Sequence, residues 1–192
     1  MAAGRIILVV GPSCAGKSTL AQAIQDAAAE PFVLQSLDGL FASVPDRWGG
    51  GGAERAAGFH YLVEAEIRRI GYGALGWRLL QGFHRAVAAY ARAGVSVIVD
   101  DMLLDEACLI DWVEALSGLD ALLVRLTAPP AELARREAAR ERRRTPGLAA
   151  GHYDLHARLD ADLVIDTALA APDAAAARIL AFQPTWALML AR

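Results

Sequence analysis

Short solid runs of apolar residues alternate along this chain with longer stretches in which apolar residues recur at helical spacing. Arg5-Ile6-Ile7-Leu8-Val9-Val10 is such a run, rich in β-branched residues, and reads as a strand buried on both faces. Residues 18–29 have helix-forming composition, with Leu20, Ala23, Ile24 and Ala27 on one face. Phe32-Val33-Leu34-Gln35-Ser36-Leu37, just after Pro31, reads as a second strand, and residues 39–44 as a short helix. Residues 76–92 predict an amphipathic helix, with Leu79, Leu80, Phe83, Val87 and Tyr90 in phase and Gly94 as its stop. Val95-Ser96-Val97-Ile98-Val99 is a third strand and ends in Asp100-Asp101. A helix over 106–116 and a fourth strand over 120–126 follow. Pro129-Pro130 opens a helix that carries Arg135, Arg136, Arg140, Arg142, Arg143 and Arg144, closed by Thr145-Pro146-Gly147. Residues 148–158 predict a short helix, Leu163-Val164-Ile165 a fifth strand ending at Asp166-Thr167, and 172–182 a closing helix. The apolar tail to Arg192 reads as packed.

The region 45–75 carries the weakest pattern. Gly49-Gly50-Gly51-Gly52 marks a flexible surface loop. Beyond it, Phe59-His60-Tyr61-Leu62 and Ile67-Arg68-Arg69-Ile70 pair as a hairpin, or 61–70 is helical; the hairpin is favoured. Elsewhere strands and helices alternate at spacings that fit βαβ crossovers. The expected fold is therefore α/β: a five-stranded parallel sheet with helices on both faces, in one domain over 1–192.

Composition narrows the function classes. The chain has 192 residues, 55% of them hydrophobic, enough for one domain with a sizeable core. A net charge of −3 gives no global pull toward nucleic acid or a membrane surface. No apolar run is long enough to span a bilayer, and none reads as a signal peptide. Cys14 and Cys108 are far apart, which suits a reducing cytosol and argues against a structural disulfide. An oligomer is left open.

The sharpest chemical signal is Gly11-Pro12-Ser13-Cys14-Ala15-Gly16-Lys17-Ser18, which fits G-x-x-x-x-G-K-[ST] at every fixed position. It sits between a strand and a helix. There, backbone N–H groups cradle phosphate oxygens and the helix N-terminus adds favourable potential. Lys17 would reach the β- and γ-phosphates, the Ser18 hydroxyl would ligate Mg²⁺, and Thr19 would close the nucleotide contact. A glycine turn that merely joins strand to helix is the bland alternative.

Three further features bear on chemistry. Asp38 lies at the carboxyl end of the second strand, where the ligand crevice of a parallel sheet opens, so it is a candidate for chemistry; equally, it could cap the helix over 39–44. Asp100 and Asp101 alternate sides of their strand, so one should serve the Mg²⁺ shell and the other an acceptor or a helix cap. In the arginine helix, Arg136 and Arg140 share a face, as a pair of phosphate or base contacts requires. The same helix could instead be a solvated one laced by Glu132–Arg136 and Glu137–Arg140 pairs, or a nucleic-acid patch; its interspersed acids rank a lid over the nucleotide above the patch. His60 reads as a surface or pocket residue, and His152 with His156 as at most half a metal site.

The glycine loop, Leu37-Asp38-Gly39-Leu40, the Ala91-Arg92-Ala93-Gly94 turn, Val97-Ile98-Val99-Asp100-Asp101, the arginine helix and Asp162-Leu163-Val164-Ile165-Asp166-Thr167 together resemble the chloramphenicol phosphotransferase-like family of P-loop kinases. The resemblance covers nearly the whole chain and is poorest over 45–75. It implies a three-layer P-loop kinase fold with strand order 2-3-1-4-5, a helical lid around 130–150 and an acceptor-binding insertion around 45–75. It implies ATP-dependent phosphorylation of a hydroxyl on a small antibiotic-like molecule, with ATP and Mg²⁺ as cofactors. Asp38 takes the place of the family's base, and Arg136, Arg140 and Arg143 that of its lid arginines; an extra residue before Gly147 leaves Arg144 as an alternative to Arg143. Lys17, Arg140 and Arg143 would then spread phosphoryl charge, Arg136 would border the adenine, Ser18 and Asp100 would place the metal, and Asp101 would touch the acceptor. Ala161 stands where a tyrosine is often expected. Rival readings are a kinase of another metabolite, sugar or nucleoside, a polynucleotide kinase, and a non-catalytic nucleotide-binding module.

Overall fold

The computed structural model describes residues 2–141 and 145–182. Seven strands run β1 (Ile6–Val10), β2 (Phe32–Ser36), β3 (Phe59–Glu64), β4 (Ile67–Tyr72), β5 (Ser96–Asp101), β6 (Ala121–Thr127) and β7 (Leu163–Asp166). Eight helices accompany them: α1 (Lys17–Ala27), α2 (Leu37–Ser43), α3 (Ala74–Arg92), α4 (Glu106–Ala115), α5 (Pro130–Ala139), α6 (Leu148–Gly151), α7 (Tyr153–Arg158) and α8 (Pro172–Ala181). One sheet is parallel throughout, in the order β2-β5-β1-β6-β7, which is 2-3-1-4-5 when its own strands alone are counted along the chain.

β1 lies at the centre, and all its residues are buried, which is why it reads as a solid apolar run. Its alternate residues feed two cores. Ile6, Leu8 and Val10 pack with Val97 and Val99 against α3 and α4, through Leu80, Phe83, Val87 and Trp112. Ile7 and Val9 pack with Ile98, Leu122 and Val124 against α1 and α8, through Leu20, Ile24, Ala176 and Ile179. Three layers result. The register places Val9 beside Asp100 and Asp100 beside Ser36, so the carboxyl ends of β1, β5 and β2 share one level.

β3 and β4 form a separate antiparallel hairpin, closed by Ala65 in the left-handed region at φ 53°. The helical alternative for 61–70 thus falls away. β4 is held to the segment after α5: Arg68 N–H donates to the Gly147 carbonyl (3.1 Å), Arg69 Nε to that of Gly151 (2.6 Å), and Ile70 N–H to His152 Nε2 (3.0 Å). The glycine-rich loop before it contains a 3-10 turn at Asp46–Trp48, and Gly52 lies so close to the Asp46 carbonyl that a Cβ would overlap it. This stretch is a folded turn on the cavity wall, held by Gly52 N–H to the Gly49 carbonyl at 2.8 Å.

Two helices depart from expectation. α5 stops at Ala139, and Arg140 is extended at φ −71°, ψ 121°. Glu137 also departs from its expected pairing. Its carboxylate does not pair with Arg140 but accepts the N–H groups of Gly147 and Ala149, both at 2.8 Å, so it ties α5 to the start of α6. The expected helix over 148–158 is broken into α6 and α7 at His152, whose backbone leaves the helical region at φ −115°, ψ 11°. The tail, expected to pack, lies beyond residue 182 and outside the described residues. No helix among the described residues is long and apolar enough to cross a membrane.

His152 and His156 are both buried, and burial pushes both imidazoles below their ordinary range, His156 to about 3. His152 is needed neutral, since its Nε2 accepts from Ile70 while its Nδ1 faces the Leu104 carbonyl at 3.1 Å. A base held neutral in the fold stabilises fully above its unfolded pKa, near 6.5, and loses that contribution as pH falls toward the folded value. Stability from urea unfolding should therefore fall between pH 7 and 5, with His156 contributing up to about 1.4 kcal/mol per pH unit below pH 6.5 and His152 acting in the same direction. His156→Gln should flatten that slope; an equal slope in the variant would remove His156 from the account.

Candidate active site

The glycine loop leaves β1 and turns into α1. Gly11 passes so close to β6 that a Cβ would stand 2.8 Å from the Leu126 carbonyl oxygen, and Gly16 occupies the left-handed region at φ 91°, capping α1 with backbone alone. Cys14 is also left-handed, at φ 65°. Pro12, Ser13, Cys14 and Ala15 are buried in the loop, and Ser18 and Thr19 are exposed on the first turn of α1. Lys17 Nζ curls back to donate to the Gly11 and Pro12 carbonyls, each at 3.0 Å. Burial pushes its ammonium below the ordinary lysine range, against the pull of the Asp100, Asp101 and Asp38 carboxylates. Those three acids therefore share one electrostatic neighbourhood with Lys17.

Asp100 turns toward α1, and the Ser18 hydroxyl donates to its Oδ2 at 2.6 Å. Burial raises its carboxyl above the ordinary range, opposed first by Lys17 and then by the Ser18 hydrogen bond. Of the two adjacent acids, Asp100 is the one beside the loop. A hydroxyl and a carboxylate meeting at this level are the hard oxygen donors that Mg²⁺ takes, with the rest of its shell from water and phosphate. Among the described residues, no group of three or more His, Cys, Asp or Glu is placed to hold a metal ion.

Asp101 departs from its expected place beside the acceptor. It points to the opposite layer and is 2% exposed; Oδ1 accepts Leu103 N–H (2.7 Å) and Oδ2 accepts Trp112 Nε1–H (2.8 Å). With both oxygens engaged by buried donors, it offers no face to an acceptor.

Asp38 is exposed in the first turn of α2, two residues past the end of β2. The cap of that helix is Ser36, whose Oγ accepts Gly39 N–H at 3.0 Å, so capping is not the work of Asp38. Next to α2, a cavity of about 680 Å³ is lined by Phe41, Arg47, Phe59, His60, Tyr61 and Ile70, among others. Phe41 and Phe59 meet edge to face with ring centres 4.6 Å apart, and the Arg47 guanidinium lies 3.7 Å over the Trp48 ring.

On the other side of the loop, Arg136 is aimed by Glu132, whose Oε1 lies 2.7 Å from its Nε. Its two terminal nitrogens donate to Thr167 Oγ1 and the Thr167 carbonyl, both at 2.9 Å, and one reaches the Cys14 carbonyl at 3.4 Å. Arg136, Arg140, Cys14, Gly16, Thr19 and Thr167 border a cavity of about 310 Å³. Arg136 and Arg140 thus face one cavity although they do not share one helix. Arg143, with Arg142 and Arg144, lies outside the described residues. Thr167 was missed as a site residue; its position at the carboxyl end of the last parallel strand is the signal that could have found it.

The family described as chloramphenicol phosphotransferase-like protein matches residues 4–184. A Mycobacterium tuberculosis protein named as a candidate O-phosphotransferase is 30% identical over 175 residues, covering 87% of this chain and 76% of that protein. Among solved structures, a sugar kinase from Janibacter superposes with a TM-score of 0.65 at 22% identity, covering 92% of each chain. The Mycobacterium tuberculosis APS kinase in complex with AMPPNP and APS does so with a TM-score of 0.63 at 16% identity, covering 94% of this chain and 97% of that one. At these identities the structures establish the fold.

The close approach of Gly11 to β6 yields a prediction. Gly11→Ala must push the loop off Leu126 and should lower stability by about 1–3 kcal/mol, the range for overpacking a filled site. Thermal melting checks it; a melt like that of the wild type would mean that the loop has room to move.

Proposed function

The chain belongs to the chloramphenicol phosphotransferase-like family, and from that membership we propose that it transfers the γ-phosphoryl group of ATP to a hydroxyl of a small molecule. The observation that carries the reading is the Ser18–Asp100 hydrogen bond at the mouth of the glycine loop, with Lys17 under the electrostatic influence of Asp100 and Asp38. Gly11, Pro12, Ser13, Cys14, Ala15, Gly16 and Thr19 form the cradle for the phosphates. On the nucleotide side, Arg136 borders the base, and Arg140 adds charge from the end of α5. The segment around 130–150 is the lid in this reading, and the segment 45–75 is the acceptor insertion.

Mg²⁺, held by Ser18 and Asp100, would neutralise charge on the phosphate oxygens. The protein's own part is positioning. Lys17 exchanges the loop carbonyls it now contacts for phosphate oxygens, and the loop holds its ammonium beside the cradle until then. Asp38 accepts the hydrogen bond of the acceptor hydroxyl and takes its proton as the oxygen attacks phosphorus. Partial burial of Lys17 and Asp100 strengthens the charge interactions those two make.

For the acceptor we favour an antibiotic-like molecule, because the Phe41, Phe59 and Tyr61 rings beside α2 supply apolar walls for a compact body. A sugar, nucleoside or other metabolite is the competing acceptor. The nucleic-acid reading loses support from Glu132, which pairs with both Arg135 and Arg136. Cys14 and Cys108 are free and buried, which supports a reducing cytosol as the setting.

Incubation with Mg-ATP and a panel of antibiotics, sugars and nucleosides, reading acceptor mass, tests the reading directly. One acceptor gaining a single phosphoryl group is expected; ATP binding with no acceptor modified would leave only a nucleotide-binding module. Asp38→Asn tests the base. It should lower kcat by ~10²–10⁴-fold, the usual worth of a general base, while leaving ATP affinity intact. Since Ser36 holds the helix cap, the substitution should spare the melting temperature. A fall of less than roughly tenfold would remove Asp38 as base.

A further inference from the structure

We propose that Asp101 and Trp112 are a positioning pair: they fix where Asp100 stands against Ser18 and so set the affinity of the site for a divalent cation. The inference rests on the phosphotransferase reading, in which Asp100 and Ser18 hold the metal.

Successive residues of a strand point to opposite faces, so Asp100 and Asp101 serve different layers across one peptide unit. The pairing of β5 with β2 ends at Ser36 beside Asp100, and Asp101 retains only β1 as a neighbour, at Val10. From that point the strand end needs another restraint. Asp101 supplies it on both sides. Its Oδ1 accepts from Leu103 N–H, two residues on, where the chain turns sharply through the left-handed region at φ 51°. A bulky residue holds that conformation only where its surroundings impose it. Its Oδ2 accepts from Trp112 Nε1–H on α4 at 2.8 Å.

The indole is itself immobilised. Trp112 is 1% exposed, the His84 ring stacks on it at 4.0 Å between centres, and Phe83 meets it edge-on at 5.7 Å. His84 is in turn fixed by Asp111, with Nδ1 and Oδ2 2.5 Å apart, and Asp111 also accepts from Arg85 at 3.0 Å. A chain of buried contacts thus runs from α3 through α4 to the end of β5. A carboxylate buried this deeply is costly unless its acceptors are filled, so Asp101 is held wherever its two donors stand. Asp100, one peptide away, inherits that placement.

The test uses Mn²⁺ as probe, titrated by electron paramagnetic resonance into the ADP-bound protein, beside ADP affinity measured in a metal chelator. Trp112→Phe keeps an aromatic ring in the layer and removes the indole N–H together with part of the indole's volume. It should weaken Mn²⁺ binding severalfold, up to the ~10-fold that marks the loss of a partner bonded to the ligand itself, with metal-free ADP affinity within about twofold of wild type. Asp100→Asn serves as reference and should weaken Mn²⁺ binding at least as far. Wild-type Mn²⁺ affinity in Trp112→Phe, with Asp100→Asn impaired, overturns the positioning role. A parallel loss of metal-free ADP affinity also overturns it, since that marks a general effect on the fold. If the wild type binds neither ADP nor Mn²⁺, the phosphotransferase reading itself fails. Should Trp112→Phe not fold, the Trp112 indole N–H resonance of the wild type, assigned by replacing the other tryptophans, decides. It should shift when Mg²⁺ joins the ADP-bound protein, and an unmoved resonance overturns the proposal.

Discussion

The alignment of Val9, Asp100 and Ser36 across three parallel strands is the constraint on which the site depends. Each strand continues from that level into a functional segment: β1 into the glycine loop, β2 into the turn of Asp38, and β5 into the acid pair. A one-residue slip of β5 would turn Asp100 into the α3–α4 layer and Asp101 toward Ser18, since strand side chains alternate. The register is protected by burial. Val97, Ile98 and Val99 are fully buried on alternating faces, and a slip would exchange the two cores they fill.

Around that level the electrostatics are balanced locally. Three carboxylates act on one partly buried lysine, and Lys17 meanwhile spends its donors on loop carbonyls. The arrangement stays tolerable because the acids are separated by function. Asp101 is satisfied from the opposite layer, Asp100 by Ser18, and Asp38 stands at the exposed rim. Two adjacent acids at one strand end thereby take partners in opposite layers.

The β3–β4 hairpin and α5 are joined through α6. Glu137 binds α5 to the first turn of α6, and the Gly147 and Gly151 carbonyls with His152 hold β4. Side chains at either glycine would collide with the hairpin backbone, so this seam closes only because both are glycines. The hairpin that lines the 680 Å³ cavity therefore rests on α6, which Glu137 ties to the helix carrying Arg136 at the 310 Å³ cavity.

Taken alone, the amino-acid order determined the parallel strands, the glycine loop, the helices α1, α3 and α4, and the level at which Asp38 and Asp100 emerge. Those features depend on periodicity and on backbone demands such as the left-handed Gly16, both written locally. The hairpin was legible only against a helical rival over 61–70. Tertiary structure decided which partner each polar side chain takes. Ser36 took the cap that Asp38 could have filled, Glu137 left Arg140 for backbone N–H groups ten and twelve residues on, and Trp112 claimed Asp101. A carboxylate accepts equally well from any donor within reach, so its partner is set by which donors the packed layers bring close, and spacing along the chain does not record that.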